Sequence, residues 1–218
     1  MKKKVFIVRL AVFLCGACCF CDGRVKKIPV EKNSTIVCFG DSLTFGHGAE
    51  DQGISYPKCI QEKVNVPVVN SGVNDDTTTD GVKRFKKDVL DHNPAIVIFD
   101  FGGNDVWYPK KKISKKQIEE NFRLMFDQID FSKTQVYVLR YYNDHMRFLD
   151  LFHSFDRMLE RLEKDYDIIV IRDIWKGVWG NKNLKYDMSH PNGEGYKIIA
   201  QNIYAELEPC LELNGLKK

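Results

Sequence analysis

Apolar positions along the chain fall into two kinds of run, and the two alternate. Short runs rich in Val, Ile and Phe occupy residues 35–39, 67–70, 95–101, 135–140 and 167–172. Their length and β-branched content predict buried strands. Between them, apolar residues recur at three- and four-residue steps, which predicts helices near 56–63, 79–90, 115–128, 146–165 and 194–208. The pattern is plainest where Phe148, Leu151, Phe152, Phe155, Leu159 and Leu162 form one stripe, read as a core-facing face. Alternating strands and helices predict an α/β fold with a parallel sheet covered on both sides. No fixed-period repeat or Pro/Gly linker interrupts residues 30–213, so they are expected to form one domain.

Composition narrows this picture. At 218 residues, 44% apolar and 29% charged, the chain has the make-up of a globular protein and not of a disordered one. Its net charge of +3 comes from scattered lysines, which gives no footprint for a nucleic-acid partner. The lysines at 110–112 and 115–116 follow Pro109 and read as a solvated loop and first helical turn.

The first 21 residues differ. Three lysines follow Met1, and the stretch to Cys21 is apolar apart from Arg9, too short to span a bilayer, so residues 1–21 read as an export leader. Gly16 and Ala17 before Cys18 resemble a lipobox, leaving two possibilities: lipid anchoring through Cys18, or plain secretion. The expected location is the periplasm, the cell surface or the exterior. Cys38, Cys59 and Cys210 lie in the body; Cys38 reads as a buried hydrophobe, and a Cys59–Cys210 bridge stays open.

Ligands of open parallel sheets sit at the carboxyl ends of the strands. There the chain places Gly40-Asp41-Ser42 after the first run, residues 70–77 after the second and Gly102-Gly103-Asn104-Asp105 after the third. Asp187 and His190 follow the fifth, three residues apart, a spacing that lets the carboxylate meet its own imidazole and leave the other ring nitrogen for Ser42. Ser42 could alternatively cap the following helix, and Asn104 could be a turn residue. His47 and His145 are read as exposed loop residues near the rim that could also line a pocket.

These segments, Gly40-Asp41-Ser42-Leu43, Gly103-Asn104-Asp105 and Asp187-x-x-His190-Pro191, resemble the signatures of the GDSL, or SGNH, hydrolase family, in order across nearly the whole body. Phe45-Gly46-His47-Gly48-Ala49 and residues 72–78 are similar to its arylesterase, thioesterase and lysophospholipase branch. The resemblance implies a flavodoxin-like three-layer αβα sandwich on a five-stranded parallel sheet, with no cofactor and no metal. It implies Ser42 as nucleophile, His190 as base and then acid, and Asp187 as the group that orients His190. It also implies an oxyanion hole made by the Ser42 N–H, the Asn104 amide and a third backbone N–H. The family carries that third donor on a glycine in Asn-x-x-x-x-Gly-Asp-Thr, where this chain has Asp75; a shifted registration would make it Gly72. Asp tolerates the left-handed backbone such a position needs, but its carboxylate disfavours nearby negative charge.

The expected function is an exported serine esterase that hydrolyses acyl or aryl esters of small molecules or lipids through an acyl-enzyme. A carbohydrate O-acetylesterase would share every catalytic residue, and a non-catalytic binding lipoprotein is the alternative of another class. Trp107, Tyr108, Trp175 and Trp179 could wall the substrate or simply pack.

Overall fold

Five segments rich in Val, Ile and Phe form the strands of the computed structural model, which describes residues 25–107, 113–142 and 150–218. They are β1 (Thr35–Gly40), β2 (Val68–Gly72), β3 (Pro94–Asp100), β4 (Gln135–Leu139) and β5 (Ile168–Ile171). All pair in parallel, in the order β2-β1-β3-β4-β5. The chain winds first to one side of β1 and then to the other, so the switch point lies between the ends of β1 and β3. Every residue of β1 and β4 is buried, which explains runs of unbroken apolar character instead of alternation.

Helices cover both faces. Ile36, Cys38 and Ile98 pack with Tyr56 and Ile60 of α2 (Tyr56–Gln61) and with Ile199 and Ile203 of α7 (Gly193–Asn214). On the opposite face, Val37, Phe39 and Phe99 meet α3 (Thr78–Asp88), α5 (Lys115–Phe126) and α6 (Asp150–Asp165) through Phe85, Phe122 and Leu159. Phe155, Leu159 and Leu162 of the expected stripe are in this core. Two short helices, α1 (Ser42–Phe45) and α4 (Gly103–Trp107), start where β1 and β3 end. The result is the flavodoxin-like αβα sandwich.

Two departures have local causes. β2 continues through Ser71 and Gly72, because the backbone of α1 crosses it so closely that a Cβ on Gly72 would lie 2.1 Å from the Phe45 nitrogen. α7 runs past Pro209 to Asn214, since buried Cys210 and Leu211 hold its last turns against the sheet. Cys59 and Cys210 are free thiols, so the bridge left open by the sequence is not formed. The leader at 1–21 with Cys18, the lysines at 110–112, Tyr108, His145 and the expected helix start at 146–149 lie outside the described residues.

Candidate active site

The site begins with how β1 ends. Asp41 occupies the N-cap of α1 and accepts the Leu43 N–H through Oδ1 at 3.2 Å. The capping role considered for Ser42 therefore falls to its neighbour, and the Ser42 hydroxyl is left to point elsewhere. Its Oγ lies 2.8 Å from His190 Nε2.

His190 sits on a turn closed by the antiparallel bridge between Lys185 and Pro191. Asp187 braces that turn: its Oδ1 accepts the N–H groups of Ser189 and His190, each at 2.7 Å. Its Oδ2 is 2.8 Å from His190 Nδ1. Partial burial acts to raise the Asp187 carboxyl, but the hydrogen bonds from the His190 ring and from these two backbone N–H groups outweigh it and hold the pKa below the ordinary carboxylate value. Hydroxyl, imidazole and carboxylate thus form one continuous chain.

On the other side of Ser42, Asn104 of α4 directs Nδ2 to the Asp76 carbonyl at 2.9 Å and to Asp41 Oδ2 at 3.3 Å. Asp75 lines the same cavity with a φ of 64°, the left-handed conformation for which most families of turns use glycine. Gly72, the alternative donor, does not line the cavity; its N–H is taken by Asn70 Oδ1 at 3.0 Å, because β2 carries it into the sheet.

Arg84 holds this loop, and the sequence reading missed it. From α3 it reaches Asp76 Oδ2 at 2.6 Å, the Ser71 carbonyl at 2.9 Å and the Gly40 carbonyl at 2.9 Å, with its guanidinium over the Phe39 ring. An Arg84–Asp88 pair four residues apart looks like a solvated helix surface. The available signal was its position three residues after Gly81 and one before Phe85, both buried, which turns it inward.

Beneath Ser42 lie two buried carboxyls. Burial, then the neighbouring Asp100, push Asp41 well above the carboxylate range. Burial pushes Asp100 up to about 6, against a hydrogen bond from Thr44 Oγ1 at 2.8 Å.

Ser42, Asn104 and His190 share a cavity of about 590 Å³ whose wall also carries the aromatic Trp107, Tyr141, Trp175 and Trp179 and the acidic Asp41, Asp75 and Asp100. Met188, 93% exposed, stands at its edge. The three tryptophans thus line the cavity. His47 does not; it packs behind His190, with ring centroids 4.6 Å apart.

A serine just past one strand end, an asparagine just past the neighbouring one and a histidine on a late loop, set at the switch point of a 2-1-3-4-5 sheet, define the SGNH class of α/β fold. Residues 38–198 match the GDSL-like Lipase/Acylhydrolase family, and the chain belongs to it, a family of serine hydrolases acting on ester bonds. Thioesterase 1/protease 1/lysophospholipase L1 of Escherichia coli K12 is 22% identical over 189 residues, covering 81% of this chain and 85% of that one. The uncharacterized lipoprotein YqeF of Bacillus subtilis strain 168 is 35% identical over 130 residues, covering 55% of this chain and 49% of its own, so the match spans about half that relative's length. Among solved structures, TesA superimposes with a TM-score of 0.70 at 20% identity over 82% of this chain and 100% of that one. The lipase/acylhydrolase of Enterococcus faecalis gives 0.63 at 26% identity, over 81% and 96%.

Proposed function

We propose that the protein is an exported serine esterase that cleaves acyl or aryl esters through an acyl-enzyme. The observation that carries this reading is the unbroken chain from Ser42 Oγ through His190 to Asp187, at 2.8 Å on each side of the ring. Ser42 attacks the ester carbonyl while His190 Nε2 takes its proton, and Asp187 stabilises the imidazolium that forms. His190 then hands the proton to the departing alcohol. Water, activated by the same nitrogen, releases the acid and restores Ser42.

The oxyanion is met by the N–H of Ser42, the Asn104 amide and the N–H of Asp75. Asn104 already makes two hydrogen bonds, and the one that yields to substrate is the longer, to Asp41 Oδ2. Burial and then the neighbouring Asp100 push the Asp41 carboxyl toward its neutral form, which lessens the negative charge near the developing oxyanion. The aromatic wall suits an apolar acyl or aryl group of a small-molecule or lipid ester. Export through the 1–21 leader, with Cys18 as the lipid-bearing residue, is supported by the lipoprotein relative and by the leader's own charge and apolar pattern.

A fluorophosphonate probe, with a panel of p-nitrophenyl esters of graded chain length, tests the reading. Wild type should label and turn over these esters, while Ser42→Ala should do neither. Folded wild-type protein that neither labels nor cleaves would leave a binding protein on this fold.

A further inference from the structure

Lys185 has no step in the hydrolytic scheme, yet it joins two parts of the site. Its backbone forms the bridge to Pro191 that closes the His190 turn, and the next residue, Tyr186, donates its N–H to the His190 carbonyl at 3.0 Å. Its side chain reaches the tryptophans of the cavity. Nζ lies over the Trp175 ring, 4.6 Å from the centroid, and 5.4 Å from that of Trp179. Those two indoles meet edge to face, 5.6 Å apart, and Trp175 Nε1 donates to the Tyr141 carbonyl at 2.9 Å. The ammonium has no conventional partner: Nζ is buried and makes no hydrogen bond among the described residues. Burial pulls its pKa below the ordinary lysine value, against the attraction of Asp187. A lysine usually carries its head group to water. Here the faces of two indoles stand in for water, an exchange that favours the cation only while both rings keep their places. The attraction is mutual, so the cation in turn holds the rings.

We infer that Lys185 is a positioning residue that fixes Trp175 and Trp179 as the binding wall for the apolar part of the ester. The inference rests on the esterase reading for its effect on turnover and on the cation–indole geometry for its existence. Rings already held in place bind an apolar group without first being ordered, so the gain falls to esters large enough to reach them. An ester too small to touch the wall gains nothing. Lys185 does not itself line the cavity, so selectivity for bulky apolar esters is set by a charge that the substrate does not meet.

The test compares kcat/KM for p-nitrophenyl octanoate and for the much smaller vinyl acetate in wild type, Lys185→Met and Lys185→Arg. Near-ultraviolet circular dichroism is recorded in parallel, with Trp179→Phe to mark the signal of the indole pair. Methionine keeps an unbranched apolar stem without the charge, and arginine keeps a cation that stacks on indole. Lys185→Met should lower the octanoate-to-vinyl acetate ratio by about fivefold or more, mainly through the octanoate KM, and weaken the dichroism of the pair. Lys185→Arg should restore both. An unchanged ratio in Lys185→Met, or an equal loss on the two esters, would overturn the assignment. If wild type cleaves neither ester, the esterase reading fails, and the dichroism of the same proteins still decides whether the lysine holds the tryptophan pair.

Discussion

The side-chain amide of Asn104 donates to the backbone carbonyl of Asp76 at 2.9 Å, tying the end of β3 to the loop that follows β2. In the proposed mechanism the side chain that fixes the loop bearing Asp75 is also the one that would donate to the oxyanion. Asn104→Ala should lower kcat on an aryl ester by about 10²–10³ with a smaller change in KM. Steady-state kinetics on the folded variant checks this, and an unchanged kcat would remove Asn104 from the oxyanion hole.

Arg84 should behave as a positioning residue. Removing its guanidinium takes the Arg84 ion pair from Asp76, whose side chain is only 15% exposed, so Arg84→Met should destabilise the fold by about 3 kcal/mol in a denaturant melt. It should also slow turnover by loosening residues 72–77. Arg84→Lys should restore little of either, because an ammonium cannot span Asp76, Ser71 and Gly40 as the planar fork does. Full rescue by lysine would show that charge alone suffices.

At Asp75 backbone and side chain pull in opposite directions. The φ of 64° suits glycine best, and a carboxylate beside a developing oxyanion is unfavourable. Asp75→Gly should therefore raise kcat, whereas Asp75→Val, β-branched at a positive φ, should lower both kcat and melting temperature. A glycine variant with equal or lower turnover would count against Asp75 as the third donor.

The buried Asp100 makes stability depend on pH in a set direction. Its carboxyl is raised in the folded state from 3.8 to about 6, so the folded state holds a proton that the unfolded chain has released. That contribution is fully present below the unfolded value and is lost as pH rises from about 4 to 6. Asp100→Asn keeps an acceptor for Thr44 Oγ1 without the charge. Its melting temperature should match wild type most closely near pH 4 and exceed it above pH 6. A constant difference across that range would contradict the assignment.

The close crossing of β2 and α1 should tolerate no added carbon. Gly72→Ala would place a methyl against the Phe45 backbone, which cannot swing aside as a side chain would, and should cost about 1–3 kcal/mol in a chemical melt. A neutral result would mean that α1 moves freely against the sheet.

Much of this was legible from the residues alone, for physical reasons that differ by element. The strands stood out because a parallel sheet covered on both faces demands apolar side chains at every position, as in Ile36, Val37, Cys38 and Phe39. Ser42, Asn104 and His190 could be brought together in advance because each follows a strand end, and strand ends in such a sheet share one rim. Gly72 was placed beyond the end of the second strand because its reason for being a strand residue is the crossing helix, a contact that leaves no periodic mark. The continuation of α7 through Pro209 depends on burial of Cys210 and Leu211, which local propensity does not encode. His47 is the sharpest case: its loop and that of His190 are 143 positions apart, counted from their numbers, and only the folded chain sets their rings edge to face.

The Ser42–His190 contact joins positions separated by 148 residues. During synthesis the hydroxyl emerges early, and its partner only after all five strands have been made. No fragment that stops short of residue 190 contains the pair, so the serine–histidine contact waits on the fifth strand and the loop beyond it, however early the serine itself is made.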